Sequence, residues 1–134
     1  MKTIFNSFIS VFVLWAVIVT AWLVGLYYNL FFAIWWYDIP LHFLGGMWTL
    51  LLARYVYRRS GLEIQGGGNK IALFIFFISF VLLVGVLWEF YEFISDRYIF
   101  LSGYTHLPGV YEDTLKDLFF DFAGAVTGFL LTAF

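Results

Sequence analysis

Cysteine is absent from this 134-residue chain, which excludes disulfides, thiolate metal ligands and cysteine nucleophiles. Charge is scarce as well: Asp, Glu, Lys and Arg make up 12% of the residues, against roughly 25% in a soluble domain. Half the usual charge cannot coat a water-exposed surface, so a soluble globular domain and a disordered chain are both excluded. The 7 basic and 9 acidic residues give a net charge of −2. No polycationic face exists to hold a phosphate backbone, and nucleic acid is not an expected partner. A Ser/His/Asp set and a Gly-x-Ser-x-Gly elbow are also missing. Gly61 followed by Gly66 lacks the Lys and Ser/Thr of a phosphate loop in register, and no strand precedes it.

What is there is apolar: 63% hydrophobic and 25% aromatic, with a mean hydropathy of +0.92. A transmembrane helix needs about 20 mostly apolar residues. Between Thr3 and Tyr37 there is no charge. That run is too long for the apolar region of a signal peptide, and no small-x-small cleavage site follows it, so it is expected to be retained. Further apolar runs cover Ile39–Ala53, Ile71–Trp88 and Leu118–Phe134. The expectation is an all-α polytopic membrane protein: one domain over 1–134, with four transmembrane helices at roughly 4–35, 39–58, 70–95 and 113–134.

Tyr37-Asp38-Ile39-Pro40 reads as a tight turn that makes helices one and two an antiparallel hairpin, and the Gly-rich segment to Lys70 reads as a flexible basic loop. Lys2, Arg54, Arg58, Arg59 and Lys70 fall on one side of this topology, Arg97 and Lys116 on the other. The positive-inside rule then places both termini in the cytoplasm. Of the acids only Glu63 shares the cytoplasmic side. Asp38, Glu89, Glu92, Asp96, Glu112, Asp113, Asp117 and Asp121 all collect at the outer helix ends. Two basic residues cannot neutralise them, and charge at the bilayer boundary is expensive, so protonation, water or a bound cation must offset the repulsion.

Helical spacing aligns these groups. Asp38, His42 and Gly45/Gly46 share a face of the second helix, Glu89, Glu92 and Asp96 a face of the third, and Asp113, Asp117, Asp121, Gly124 and Gly128 a stripe of the fourth. At about 1.5 Å per residue the three helices present their acids, and His42, at one level. Oxygen ligands with one imidazole suit Mg²⁺, Mn²⁺, Fe²⁺ or Zn²⁺. His42, Glu89, Asp117 and Asp121, with Asp38 and Asp113, are the candidate ligands, and Glu92 is the candidate general base on a metal-bound water. Plainer readings stand beside these. An N-cap accounts equally well for Asp38 and for Asp113-Thr114, a bundle hydrogen bond accounts for His42, and solvation accounts for Asp96 and Glu112. Gly124-x-x-x-Gly128 reads as a close-approach face, and Tyr27, Tyr28, Trp35, Trp36, Tyr37, Trp88, Tyr91 and Tyr98 as an interfacial aromatic belt. Phe74, Phe76, Phe77 and Phe80 read as lipid-facing or core residues.

The ordered set Asp38-x-x-x-His42-Phe43-x-x-Gly46, Glu89-x-x-Glu92 and Asp113-Thr114-x-x-Asp117-Leu118-x-x-x-x-Gly124-Ala125 resembles the YjdF-type bacterial inner-membrane proteins. It is more distantly similar to VanZ-like proteins. The resemblance covers most of the chain after about residue 36 and implies a multi-pass protein of the bacterial cytoplasmic membrane. Three functions fit the residues: a metal-dependent membrane enzyme acting on a lipid or lipid-linked substrate at the outer leaflet, a cation- or proton-handling transporter-like protein, and a non-catalytic module that binds an envelope component or partner protein. A monomer or homodimer is expected. The orientation is testable in intact cells. A cysteine placed at Gly67 is expected to resist an impermeant thiol reagent and one at Gly103 to react, and the reverse pattern overturns it.

Overall fold

The computed structural model describes residues 7–61, 69–101, 103–106 and 108–132, and the description that follows concerns those residues. Lys2, Glu63 and the glycines at 66–68 lie outside them, as do the segments 4–6 and 133–134 that the apolar pattern assigned to helix. Every regular element is helical: α1 (Phe8–Tyr27), a short α2 (Leu30–Ala33), α3 (Asp38–Ser60), α4 (Lys70–Ile94) and α5 (Val110–Thr132). A π-helical segment, Ser95–Phe100, extends α4, and a 3-10 turn, Tyr104–His106, follows it.

Local chemistry sets these boundaries. Ser7 Oγ accepts from the Ile9 amide at 3.2 Å and Asn69 Oδ1 from the Ile71 amide at 2.9 Å, so side-chain caps open α1 and α4. Gly61 closes α3 at φ +66°, the left-handed conformation that ends helices. The first apolar run is broken where one helix was expected. Asn29 adopts φ 54°, a left-handed position asparagine tolerates better than most residues, and this separates α1 from α2. The N-cap readings of Asp38 and Asp113 also need correction. Tyr37 precedes α3 and supplies no side-chain cap, which puts Asp38 in the first turn. Likewise α5 begins at Val110, so Asp113 and Thr114 already lie inside it.

α3 and α5 form the central pair, with α4 packed on both and α1 on α3. Glycine permits the central contact. A methyl group on Gly46 would collide with the Asp121 backbone carbonyl, and one on Gly124 with the Phe43 carbonyl. On Gly128 it would stand 3.0 Å from Leu50 Cδ2. Gly45, beside Gly46, faces open space, so only one of that pair serves the helix contact. Below the contact Leu50, Phe77, Ile78, Val81 and Ala125 make a dry core. The Phe-rich stretch of α4 is split accordingly: Phe77 is buried, Phe74 packs on the Phe129 ring, and Phe76 and Phe80 face outward.

The ends of the bundle differ in charge. At one end Arg54 donates to the Thr132 carbonyl at 2.9 Å and the Phe129 carbonyl at 3.5 Å, its guanidinium 5.2 Å from the Phe129 ring centre. It satisfies carbonyls that the last turn of a helix leaves without partners. At the other end stand the first turns of α3 and α5 and the last turns of α4, which carry the acids. Trp48 Nε1 donates to the Val11 carbonyl at 3.0 Å and Tyr37 Oη to the Ala21 carbonyl at 2.7 Å, tying α1 to α3 and to the residue that precedes it.

Phe8–Tyr27 and the run Lys70–Phe100 are long and apolar enough to cross a membrane by length and composition. Of the aromatic residues near the acidic end, Tyr27, Tyr28, Trp35, Trp36, Trp88, Tyr91 and Tyr98 are exposed.

The glycine contact predicts a sharp asymmetry between neighbouring positions. Gly124→Ala is expected to destabilise the detergent-solubilised protein by about 1–3 kcal/mol through overpacking. Gly45→Ala is expected to leave stability unchanged or raise it by up to about 1 kcal/mol through helix propensity. Thermal or denaturant unfolding of the two variants side by side checks this, and equal losses refute the close contact.

Candidate functional site

His42 is where the helices converge. One turn into α3, it is 6% exposed, with Nε2 3.7 Å from Asp38 Oδ1 on its own helix and Nδ1 3.4 Å from Asp121 Oδ1 on α5. The i, i+4 spacing of Asp38 and His42 puts both on one helix face. Asp121 reaches the ring because Gly46 lets the backbones of α3 and α5 touch. Gly85 on α4 makes room for the other side of the same carboxylate: a methyl group there would stand 2.5 Å from Asp121 Oδ2.

Two sets of donor atoms meet at this histidine. Asp38, His42 and Asp117 each offer one ligand atom within 4.8 Å of the others, and so do His42, Glu89 and Glu92. Three helices thus supply five carboxylates around a single imidazole. Asp117 is 2% exposed and Asp121 6%. Asp117 Oδ1, Asp121 Oδ2 and Glu89 Oε1 are buried with no hydrogen-bond partner among the described residues. A buried carboxylate oxygen without a donor is costly, and three of them lie within this one cluster. Thr114 Oγ1 donates to Glu89 Oε2 at 2.8 Å and holds that side chain between α4 and α5.

Not every candidate joins the cluster. Asp113 pairs with Lys116 one turn along α5. Asp96 corrects the solvated reading. It is 9% exposed, and its Oδ2 accepts from the Thr105 amide at 2.8 Å and the Thr105 hydroxyl at 2.6 Å. The neighbouring Arg97 turns instead to His106, with Nη1 2.7 Å from Nε2. Asp96 is therefore a brace that fixes the 3-10 turn against the π-helical end of α4.

Two cavities adjoin the cluster. A cleft of about 430 Å³ runs between α1, α3 and α4, with Asp38, His42, Glu92 and Asp121 at its polar end. A wider vestibule of about 520 Å³ lies toward the connecting segments, bordered by Phe32, Trp35, Asp96, Pro108 and Asp113 among others. Trp22, Trp88 and Tyr91 border both. Sequence spacing did not reveal the share of α1 in the site, nor the roles of Thr114 and Gly85. α1 is uniformly apolar and has no periodic mark to distinguish its cleft-facing residues. Thr114 stands inside the Asp113-Thr114-x-x-Asp117 motif, which was a signal available for it.

Searches of curated proteins and of solved structures return no match to the chain. The sequence does match, over residues 1–134, the family described as Predicted membrane protein (DUF2238), and the chain belongs to that family of membrane proteins.

Proposed function

We propose that the protein binds one divalent cation in the cluster around His42 and presents it to a lipid or envelope substrate at the outer face of a bacterial cytoplasmic membrane. In this reading α1, α3, α4 and α5 all span the bilayer and both termini are cytoplasmic. The kinship with YjdF-type and VanZ-like proteins belongs to the same proposal. The observation that carries it is the set of buried carboxylate oxygens without partners at Glu89, Asp117 and Asp121, gathered on one imidazole.

The spacing supports an ion. Ligand atoms about 2.0–2.2 Å from a shared ion stand roughly 3–3.6 Å apart, and the 3.7 Å separation of His42 Nε2 from Asp38 Oδ1 needs little contraction. An ion at Nε2, beside Asp38 and within reach of Asp117, leaves Nδ1–H to donate to Asp121. That arrangement is the carboxylate–histidine–metal relay that orients metal-bound imidazoles. The oxygen-rich set with one nitrogen suits Mg²⁺, Mn²⁺, Fe²⁺ or Zn²⁺. Such an ion lowers the pKa of a bound water, and Glu92 stands where a carboxylate could take the proton. A proton path along the whole bundle is disfavoured by the apolar core of Leu50, Phe77, Ile78, Val81 and Ala125 beneath the cluster.

The test is ion-dependent stability. Added Mn²⁺ is expected to raise the melting temperature of the detergent-purified protein, with about 2.7 kcal/mol of stabilisation at one hundred times the dissociation constant. Elemental analysis is expected to find near-stoichiometric metal. His42→Ala and Asp117→Asn are expected to lose both signals and Asp113→Asn to keep them, since Asp113 is engaged by Lys116. A wild-type ion response in either cluster variant overturns the site.

A further inference from the structure

The cleft beside the cluster is built unevenly. Trp15, Val19 and Trp22 of α1 form one wall and Val81, Val84 and Trp88 of α4 the other. α3 supplies the floor with Leu41, Gly45 and Trp48. α1 and α4 both pack on α3 and make no substantial contact with each other, so the cleft lies in the seam between them. Its residues on α3 run from Asp38 to Thr49, a length of about 16 Å at 1.5 Å per residue. That is about half of the ~30 Å hydrocarbon core, the depth of one leaflet. The volume of about 430 Å³ falls within the roughly 300–1,000 Å³ of small-molecule sites.

The polar end of the cleft sets the charge of its occupant. The five carboxylates carry five negative charges when ionised, while a divalent ion bound through a neutral His42 offsets two. An anionic headgroup entering here meets repulsion, and a cationic one meets attraction. The aromatic faces point the same way, since Trp22, Trp88 and Tyr91 line the cleft beside Asp38 and Glu92. Aromatic rings next to carboxylates are the environment in which ammonium groups are held by cation–π and ionic contacts together.

We propose that the cleft between α1, α3 and α4 binds an amphiphile with one hydrocarbon chain and a protonated amine head, the chain lying along Trp15, Gly45, Trp48 and Val84 and the ammonium between Glu92, Asp38 and the rings of Trp22, Trp88 and Tyr91. This deepens the preceding reading by specifying the lipid-like ligand. It rests on that reading for the membrane-spanning arrangement and is independent of the identity of the ion.

Four of the six tryptophans, Trp15, Trp22, Trp48 and Trp88, line the cleft, so a brominated chain entering it quenches their fluorescence. The full-length protein in an uncharged detergent is titrated with ω-bromoundecylamine and with ω-bromoundecanoic acid, which share a chain and a quencher and differ in head charge. The amine is expected to quench saturably and to bind about tenfold more tightly than the acid, a difference of about 1.4 kcal/mol. Gly45→Phe, at a position where an added Cβ meets nothing within 4 Å, places a ring in the cleft from its α3 floor. It is expected to lose the saturable phase while keeping the wild-type response to Mn²⁺. Val84→Trp blocks the opposite wall and takes its place should Gly45→Phe fail to fold. Equal quenching by the two probes overturns the proposal, as does an unchanged amine phase in the blocked variants. Competition by chainless ethanolamine at equal concentration overturns it too, since the chain then plays no part. A missing Mn²⁺ response in the wild type counts against the cation alone and leaves the amine result to stand or fall separately.

Discussion

The contact between the backbones of α3 and α5 is the constraint on which the other features depend. Gly46 and Gly124 face carbonyls of the opposing helix so closely that a single methyl group has no room at either position. Small residues at these positions let the two backbones pack directly on each other. Here that packing also sets chemistry, because the carbonyl that Gly46 accommodates belongs to Asp121, whose side chain lies 3.4 Å from His42. A wider helix separation would move Asp121 off the ring and leave Nδ1 without that carboxylate.

From that contact the two halves of the bundle follow opposite rules. One half is a dry core closed by Arg54, whose charge goes to the carbonyls that end α5 and to the face of Phe129. The other half concentrates buried carboxylates beyond what the protein's own donors satisfy. Thr114 serves one oxygen of Glu89 and Thr105 serves Asp96, while Asp117 Oδ1, Asp121 Oδ2 and the second oxygen of Glu89 have no donor among the described residues. Leaving such groups bare costs stability, which protonation, water or a bound ligand would offset. The aromatic cleft between α1 and α4 opens onto that same unsatisfied end.

Several elements were legible because they follow from spacing along one helix. The faces carrying Asp38 with His42, Glu89 with Glu92, and Asp117 with Asp121 and Gly124 are consequences of the 3.6-residue repeat, and the glycine stripe announced the close approach. Others were not. Asp96 beside Arg97 has the look of a solvated pair, yet the π-helical turn carries it inward to Thr105 and sends Arg97 to His106. The break at Asn29 lies in an unbroken apolar run and depends on one residue accepting a positive φ.

Composition by itself determined that this chain belongs in a membrane and that its acids gather at one end, because scarcity of charge and its distribution along the chain are properties of the sequence. Helical periodicity determined which acids share a face. Only the tertiary structure decided which faces meet. Asp113 and Asp121 lie on the same stripe of α5, but the crossing of α5 over α3 brings Asp121 to His42 and leaves Asp113 with Lys116. The same packing made a cleft from the featureless surface of α1, since which of its apolar side chains line a cavity is settled by what α3 and α4 place opposite them, and no periodicity within α1 records that.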